Sequence, residues 1–202
     1  MRFRSTNSGG KKAQRSSGAL RQPFTISEKS VINFVNRELT VCFTGHRHIA
    51  TARLPELTER LDRILQTLFR KGYRYFISGA ALGFDTIAAE RVLELRKLHP
   101  EVQLILAIPC SDQTNGWTQA QCTRYEHLLY EADETHVLSS SYYEGCMLVR
   151  NRFMVDRSSL CICFLEHMKG GTVSTVAYAL KENLPVLNAA MPDSCTAFIE
   201  GK

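Results

Sequence analysis

Two glycine-marked corners carry the residue types that could hold a ligand. One is Ser78-Gly79-Ala80-Ala81-Leu82-Gly83-Phe84-Asp85, and the other is Lys169-Gly170-Gly171-Thr172. The first follows a β-prone run at residues 73–77. It opens onto residues 87–98, where Ile87, Ala88, Val92 and Leu95 recur at helical spacing. The second follows a buried-strand composition at residues 160–165 and leads into a helix expected over residues 173–181. Glycine lets the backbone turn through positive φ and lets a ligand come close to the main chain. A helix starting behind such a turn presents unpaired N–H groups and a partial positive charge, which suit phosphate or carboxylate. The Gly79 and Gly83 spacing is Gly-x-x-x-Gly, and no Gly-Lys-Ser/Thr follows. The corner is therefore neither the usual dinucleotide fingerprint nor a Walker P-loop. A tight structural turn is the competing reading of the same octapeptide.

The elements that must position these corners alternate in type. Residues 39–43 read as a buried strand ended by Thr44-Gly45-His46-Arg47. Leu54, Leu57, Leu61, Ile64, Leu65 and Leu68 then recur at helical spacing up to Arg70, and Gly72 stops the helix. Residues 102–108 form a third strand and residues 109–117 a loop. A helix is expected over 119–132, a short strand over 135–138, a helix over 142–156 and a last strand over 185–187. Strand alternating with helix predicts the α/β class: a Rossmann-like three-layer fold with a mostly parallel sheet and helices on both faces. Right-handed crossovers place the strand-to-helix loops on one edge. Ligands bind there, where the strand order reverses. The loops in question are residues 44–48, 78–85, 109–117 and 169–172.

The chain has 202 residues, enough for one domain with a tail, and its 44% hydrophobic content allows a sizeable core. No apolar run approaches the ~20 residues needed to cross a bilayer, and no secretory segment follows Met1. The seven cysteines form no Cys-x-x-Cys pair, so no zinc site is expected. Their odd number, without a signal peptide, predicts reduced thiols and a cytoplasmic protein. Charge is unevenly placed. Residues 1–30 hold seven basic side chains against Glu28, a net of +6, while the whole chain carries +5 and the remainder therefore about −1. Composition predicts a disordered basic leader over 1–30, a folded α/β domain over 31–190 and a tail over 191–202, with a short helix or linker at 25–38. The leader reads as a solvated extension, a basic arm for nucleic acid or acidic partners, or an Arg/Ser-rich targeting peptide.

The loops together resemble a known family. Thr44-Gly45-His46-Arg47, Ser78-Gly79-x-Ala81-x-Gly83-x-Asp85, Pro109, Trp117 with Arg124-Tyr125, Arg150-Asn151-x-x-Met154-Val155-Asp156, and Gly170-Gly171-Thr172 with Tyr178-Ala179 are similar to the YpsA-like proteins of the SLOG superfamily. These are Rossmann-like domains related to the LOG and DprA proteins, and the resemblance covers roughly residues 39–188. It implies a pocket for a nucleotide or an NAD- or ADP-ribose-like ligand; the phosphate-suited loops and the missing catalytic carboxylate described below add the expectation of a sensor or regulatory role. Self-association as a homodimer is a further expectation from the superfamily. Two relatives suggest alternatives. The LOG proteins are phosphoribohydrolases whose pattern Gly-Gly-x-Gly-Thr-x-x-Glu places Thr175 of this chain where their glutamate sits. Threonine neither stabilises oxocarbenium-like charge nor activates water well, which leaves enzymatic activity open, with Asp85 or Glu90 as replacements if they reach the pocket. DprA carries Ser-Gly-x-Ala-x-Gly-x-Asp and Arg-Asn-Arg, as here at 78–85 and 150–152, and binds single-stranded DNA. That binding needs a positive groove, which only the leader supplies.

Each candidate residue has a functional and a structural reading. Arg47 and Arg150 are phosphate candidates, since a guanidinium matches phosphate oxygens; the alternative is an ion pair. The N–H groups of Gly79, Ala80, Gly170, Gly171 and Thr172 are neutral donors at helix N-termini. Asp85 accepts from a ribose hydroxyl or caps its own helix. Trp117 stacks on a base or packs under its loop. His46 is a polar ligand contact, and Asn151 bonds loop backbone or ligand. Thr44, Gly45, Ser78, Gly83 and Pro109 complete the ligand-binding set. No metal ligands are assigned, because His46 and His48 have no further partners in the pattern.

Overall fold

The computed structural model describes residues 36–191. The leader, residues 25–35 of the helix-or-linker stretch and the tail beyond Met191 lie outside the described residues. Six strands and five α-helices alternate within them: β1 Thr40–Gly45, α1 Leu54–Arg70, β2 Tyr75–Ser78, α2 Phe84–Leu98, β3 Gln103–Ile108, α3 Gln119–Glu131, β4 Glu134–Val137, α4 Cys146–Asp156, β5 Leu160–Phe164, α5 Gly171–Lys181 and β6 Val186–Asn188. Short 3-10 turns precede β1 and α1.

The side-chain alternation of the strands builds the layers. Successive residues of a strand point to opposite faces. Val41 and Phe43 of β1, Phe76 of β2 and Leu104, Leu106 and Ile108 of β3 share one core with Leu57, Leu61 and Leu65 of α1 and Ala88, Ala89 and Val92 of α2. Cys42, Ile77, Ile105, Ala107, Cys161 and Cys163 share the other with Met154 and Val155 of α4 and Val176 and Ala179 of α5. Both faces are covered, which is why the strands read as nearly continuous apolar runs. The result is the Rossmann-like three-layer α/β fold. Among the described residues every strand pair is parallel, in the order β4-β3-β2-β1-β5-β6.

The order fixes where a site can form. From β1 the chain steps outward through β2 and β3 to β4. It then crosses back to place β5 on the other side of β1. The reversal lies between β1 and β5, which end level, with Gly45 opposite Phe164.

Three helix starts differ from the sequence reading. α2 begins at Phe84 and α5 at Gly171, two to three residues early, because the glycine turns lead directly into helical backbone. α4 begins at Cys146, four residues late. Gly145 has a left-handed backbone at φ 88°, which ends any right-handed helix through Tyr142 and Tyr143. No described helix is long and apolar enough to cross a membrane.

Candidate functional site

At the reversal between β1 and β5 the loops splay apart and leave a cleft of about 350 Å³. Thr44, Gly45, His46 and Arg47 line it from the end of β1. Asp85 and Ala81 line it from the first glycine corner, and Met147, Arg150 and Asn151 from α4. Lys169, Gly170, Gly171 and Thr172 close it at the start of α5.

The α5 rim is open. Gly170 makes the turn at φ 87°, and a Cβ on Gly170 or Gly171 would meet nothing within 4 Å. No side chain caps α5, so its first N–H groups have no capping acceptor. The buried residues Thr44 and Thr172, 5% and 6% exposed, line the cleft. Among the described residues their hydroxyls have no hydrogen-bond partner. Arg47 and Lys169 are exposed at the rim and form no ion pair among the described residues.

The floor is a buried charge pair. Asp85 and Arg150 are 5% and 4% exposed, with Arg150 Nη1 3.8 Å from Asp85 Oδ2. Burial pushes the Asp85 carboxyl up to about 6. Arg150, the backbone N–H groups of Ala81 and Gly45, and Arg47 each pull it partly back. Burial likewise lowers Arg150, against the pull of Asp85. Asp85 is the second residue of α2, flanked by Gly83 at the N-cap, and makes no capping bond to its own helix.

Arg150 is also tied to the protein. Its Nη1 donates to Gly79 O at 2.6 Å and its Nε to Asn151 Oδ1 at 2.8 Å. Asn151 Nδ2 then donates to Thr175 Oγ1 at 2.7 Å, and Thr175 Oγ1 donates to Gly171 O at 2.9 Å. One chain of polar contacts thus runs from the cleft floor to the first turn of α5, and Asn151 and Thr175 serve in it as structural links. Glu90 does not reach the cleft, because Arg124 holds both its carboxylate oxygens at 2.9 and 2.7 Å on the α2–α3 side.

His46 lines the cleft but spends its ring on the loop beside it. Nε2 accepts from the backbone N–H groups of Glu166 and His167 at 3.1 and 3.2 Å, which requires that nitrogen to be unprotonated. Burial and the neighbouring His167 lower its pKa, consistent with a neutral ring.

The remaining candidates lie apart from the cleft. Ser78 is buried, donates to Asp85 O at 2.9 Å and accepts from Ala80 N–H at 3.1 Å. Gly79, Ala80 and Gly83 lie within the packed corner, where the Gln113 amide reaches over Gly79 O and Ala80 O. Pro109 is buried after β3, two strands from the reversal. Trp117 packs edge-on against Tyr125 of α3, ring centroids 5.6 Å apart. The sequence reading did not assign Met147, Ala81 and Lys169 to the set. Lys169 carried a signal, a cation directly before the second glycine pair; Met147 carried none. No described group of three or more His, Cys, Asp or Glu could hold a metal ion.

Comparison with known proteins adds a lineage. The model of YpsA, the YspA SLOG family, matches residues 38–186. An uncharacterised SPbeta prophage-derived protein, YoqJ, of Bacillus subtilis strain 168 is 31% identical over 142 residues, covering 64% of this chain and 83% of the relative. A UPF0398 protein of Halalkalibacterium halodurans is 27% identical, covering 68% and 71%. Among solved structures, DNA processing protein A of Helicobacter pylori, described with a single-stranded DNA binding mode, superposes at TM-score 0.52 and 22% identity. DprA of Streptococcus pneumoniae superposes at 0.54 and 18%. The match covers 74% and 73% of this chain but only 64% and 48% of those two. At these identities the likeness concerns the fold.

Proposed function

This chain belongs to the YspA SLOG family, and we propose that it is a nucleotide-binding domain, acting as a sensor or regulator, with its ligand in the cleft between β1 and β5. The observation that carries this reading is the uncommitted chemistry at the α5 corner. The hydroxyls of Thr44 and Thr172, which have no protein partners among the described residues, stand beside an uncapped helix N-terminus and the free cations Arg47 and Lys169. Phosphate satisfies all of them at once. The ligand is a nucleotide or a nucleotide-derived molecule of the NAD or ADP-ribose kind. Binding is favoured over glycosidic hydrolysis because Thr175, where LOG proteins have glutamate, is buried and tied to Gly171 and Asn151. The protein would act in the cytoplasm, with a homodimer as its proposed assembly.

Thermal shift against AMP, ADP, ADP-ribose, NAD and cyclic nucleotides tests it. A ligand at 100 times its Kd stabilises the fold by about 2.7 kcal/mol; no shift with any of them at millimolar concentration sinks the reading.

DprA-like binding of single-stranded DNA is the second reading, favoured by the free cations at the cleft rim. It predicts oligonucleotide affinity that falls steeply with salt and is lost in Arg47→Ala. If affinity depends instead on residues 1–30, the leader and not the cleft is the nucleic-acid contact.

A further inference from the structure

The anion chemistry of the cleft leaves one lining group unexplained. Asp85 is its carboxylate, set among donors: Arg47 and Lys169 at the rim, Arg150 on the floor and the N–H groups of the α5 turn. The Thr44 and Thr172 hydroxyls can turn their O–H toward a phosphate; the other side-chain acceptors are already used. Asn151 Oδ1 accepts from Arg150, and His46 Nε2 accepts from two backbone N–H groups. An anionic ligand cannot turn its phosphate toward Asp85. The ligand atom that meets Asp85 must be a neutral donor.

Building on the nucleotide reading above, we propose that Asp85 recognises a sugar hydroxyl and makes the cleft selective for ribonucleotides over their deoxy counterparts. Three observations support this. A carboxylate offers about four lone-pair sites, and the backbone N–H groups of Ala81 and Gly45 act on that of Asp85 only by lowering its pKa in part. Arg150 stands 3.8 Å away, an ion-pair distance too long for a hydrogen bond. Lone pairs therefore remain for a ligand on a residue only 5% exposed. The raised pKa of Asp85 shows that the protein alone compensates its burial incompletely, and a ligand O–H donor would complete the set. Finally, a cleft of about 350 Å³ lies at the small end of ligand sites, ~300–1,000 Å³, which suits a mononucleotide with its ribose held on the floor. A site built to bond a hydroxyl rejects the analogue without it, because its own buried group is then left unpaired.

The test is calorimetric titration of the full-length chain with AMP, 2′-deoxy-AMP and 3′-deoxy-AMP, repeated with Asp85→Asn. AMP should bind about 10- to 100-fold more tightly than at least one deoxy analogue, and Asp85→Asn should shrink that ratio to about threefold or less, since an amide keeps one acceptor but loses the charge. Equal affinity of wild type for all three overturns the inference and leaves the nucleotide reading standing. A preference that survives Asp85→Asn also overturns it, by assigning the hydroxyl contact elsewhere. Failure of all three ligands to bind overturns the inference and leaves the nucleotide reading to the ADP, ADP-ribose, NAD and cyclic-nucleotide arms of the thermal-shift test. Should Asp85→Asn not fold, the wild-type comparison still decides.

Discussion

The two glycine corners have the same local grammar and opposite environments. After β2, the corner is sealed. Gly79 lies against the Arg150 guanidinium, Gln113 reaches over the Gly79 and Ala80 carbonyls, and Gly83 lies against the carbonyl groups of His46 and Arg47. After β5, the corner is open, and Gly170 and Gly171 have empty space where a side chain would project. In the first, glycine admits other parts of the protein; in the second, it leaves room for something else. A strand–glycine–helix signature therefore marks room at the backbone, which the protein fills at the first corner and leaves open at the second.

The sharpest way to break this contrast is Gly79→Ala. The new Cβ would collide with the Arg150 guanidinium and the Asp85 carboxylate. Arg150 could yield only by giving up Gly79 O and its place beside Asp85. Urea unfolding should show a loss of about 3–5 kcal/mol, the scale of breaking a buried ion pair.

Next is the Asp85 proton. Its carboxyl sits at about 6 in the fold against an ordinary 3.8, with Arg150 of α4, Arg47 after β1 and Cys161 of β5 facing it. The folded state thus holds this proton more tightly than the unfolded chain. The stabilising contribution is complete below pH 3.8 and is lost as pH rises through about 6. Relative to Asp85→Asn, wild type should lose stability on the order of 3 kcal/mol over that window. A flat difference between the two proteins would show that Asp85 is not perturbed.

Thr175→Val should cost about 1–2 kcal/mol by orphaning Asn151 Nδ2 and freeing Gly171 O. Gly171→Ala should change unfolding stability by less than about 0.5 kcal/mol. A large cost there would mean the second corner is as sealed as the first.

Much of the fold was legible because both sheet faces are covered. Strands such as 160–165 and, but for Gln103, 102–108 announce themselves as apolar runs, and α1 matched its leucine spacing from Leu54 to Arg70. The late start of α4 was not read, because the helical pattern ran through Gly145, whose left-handed backbone decides the boundary. The site was legible as a set of loops but not as a geometry. Sequence cannot give strand order, so residues 109–117 counted equally with 44–48; the sheet puts them two strands from the reversal, and Trp117 packs on Tyr125. Arg150 reads from sequence as a phosphate ligand or an ion-pair partner, because nothing local shows that Gly79 O, 71 residues away, is its partner.

In the proposed reading, ligand enters at the open corner. An amide-resolved NMR titration of the full chain with AMP tests it directly. Shifts should concentrate at Gly45, His46, Gly170, Gly171 and Thr172, with Trp117 and its loop unmoved. Shifts centred on residues 109–117, or saturable binding that leaves Gly170 to Thr172 unperturbed, would contradict it.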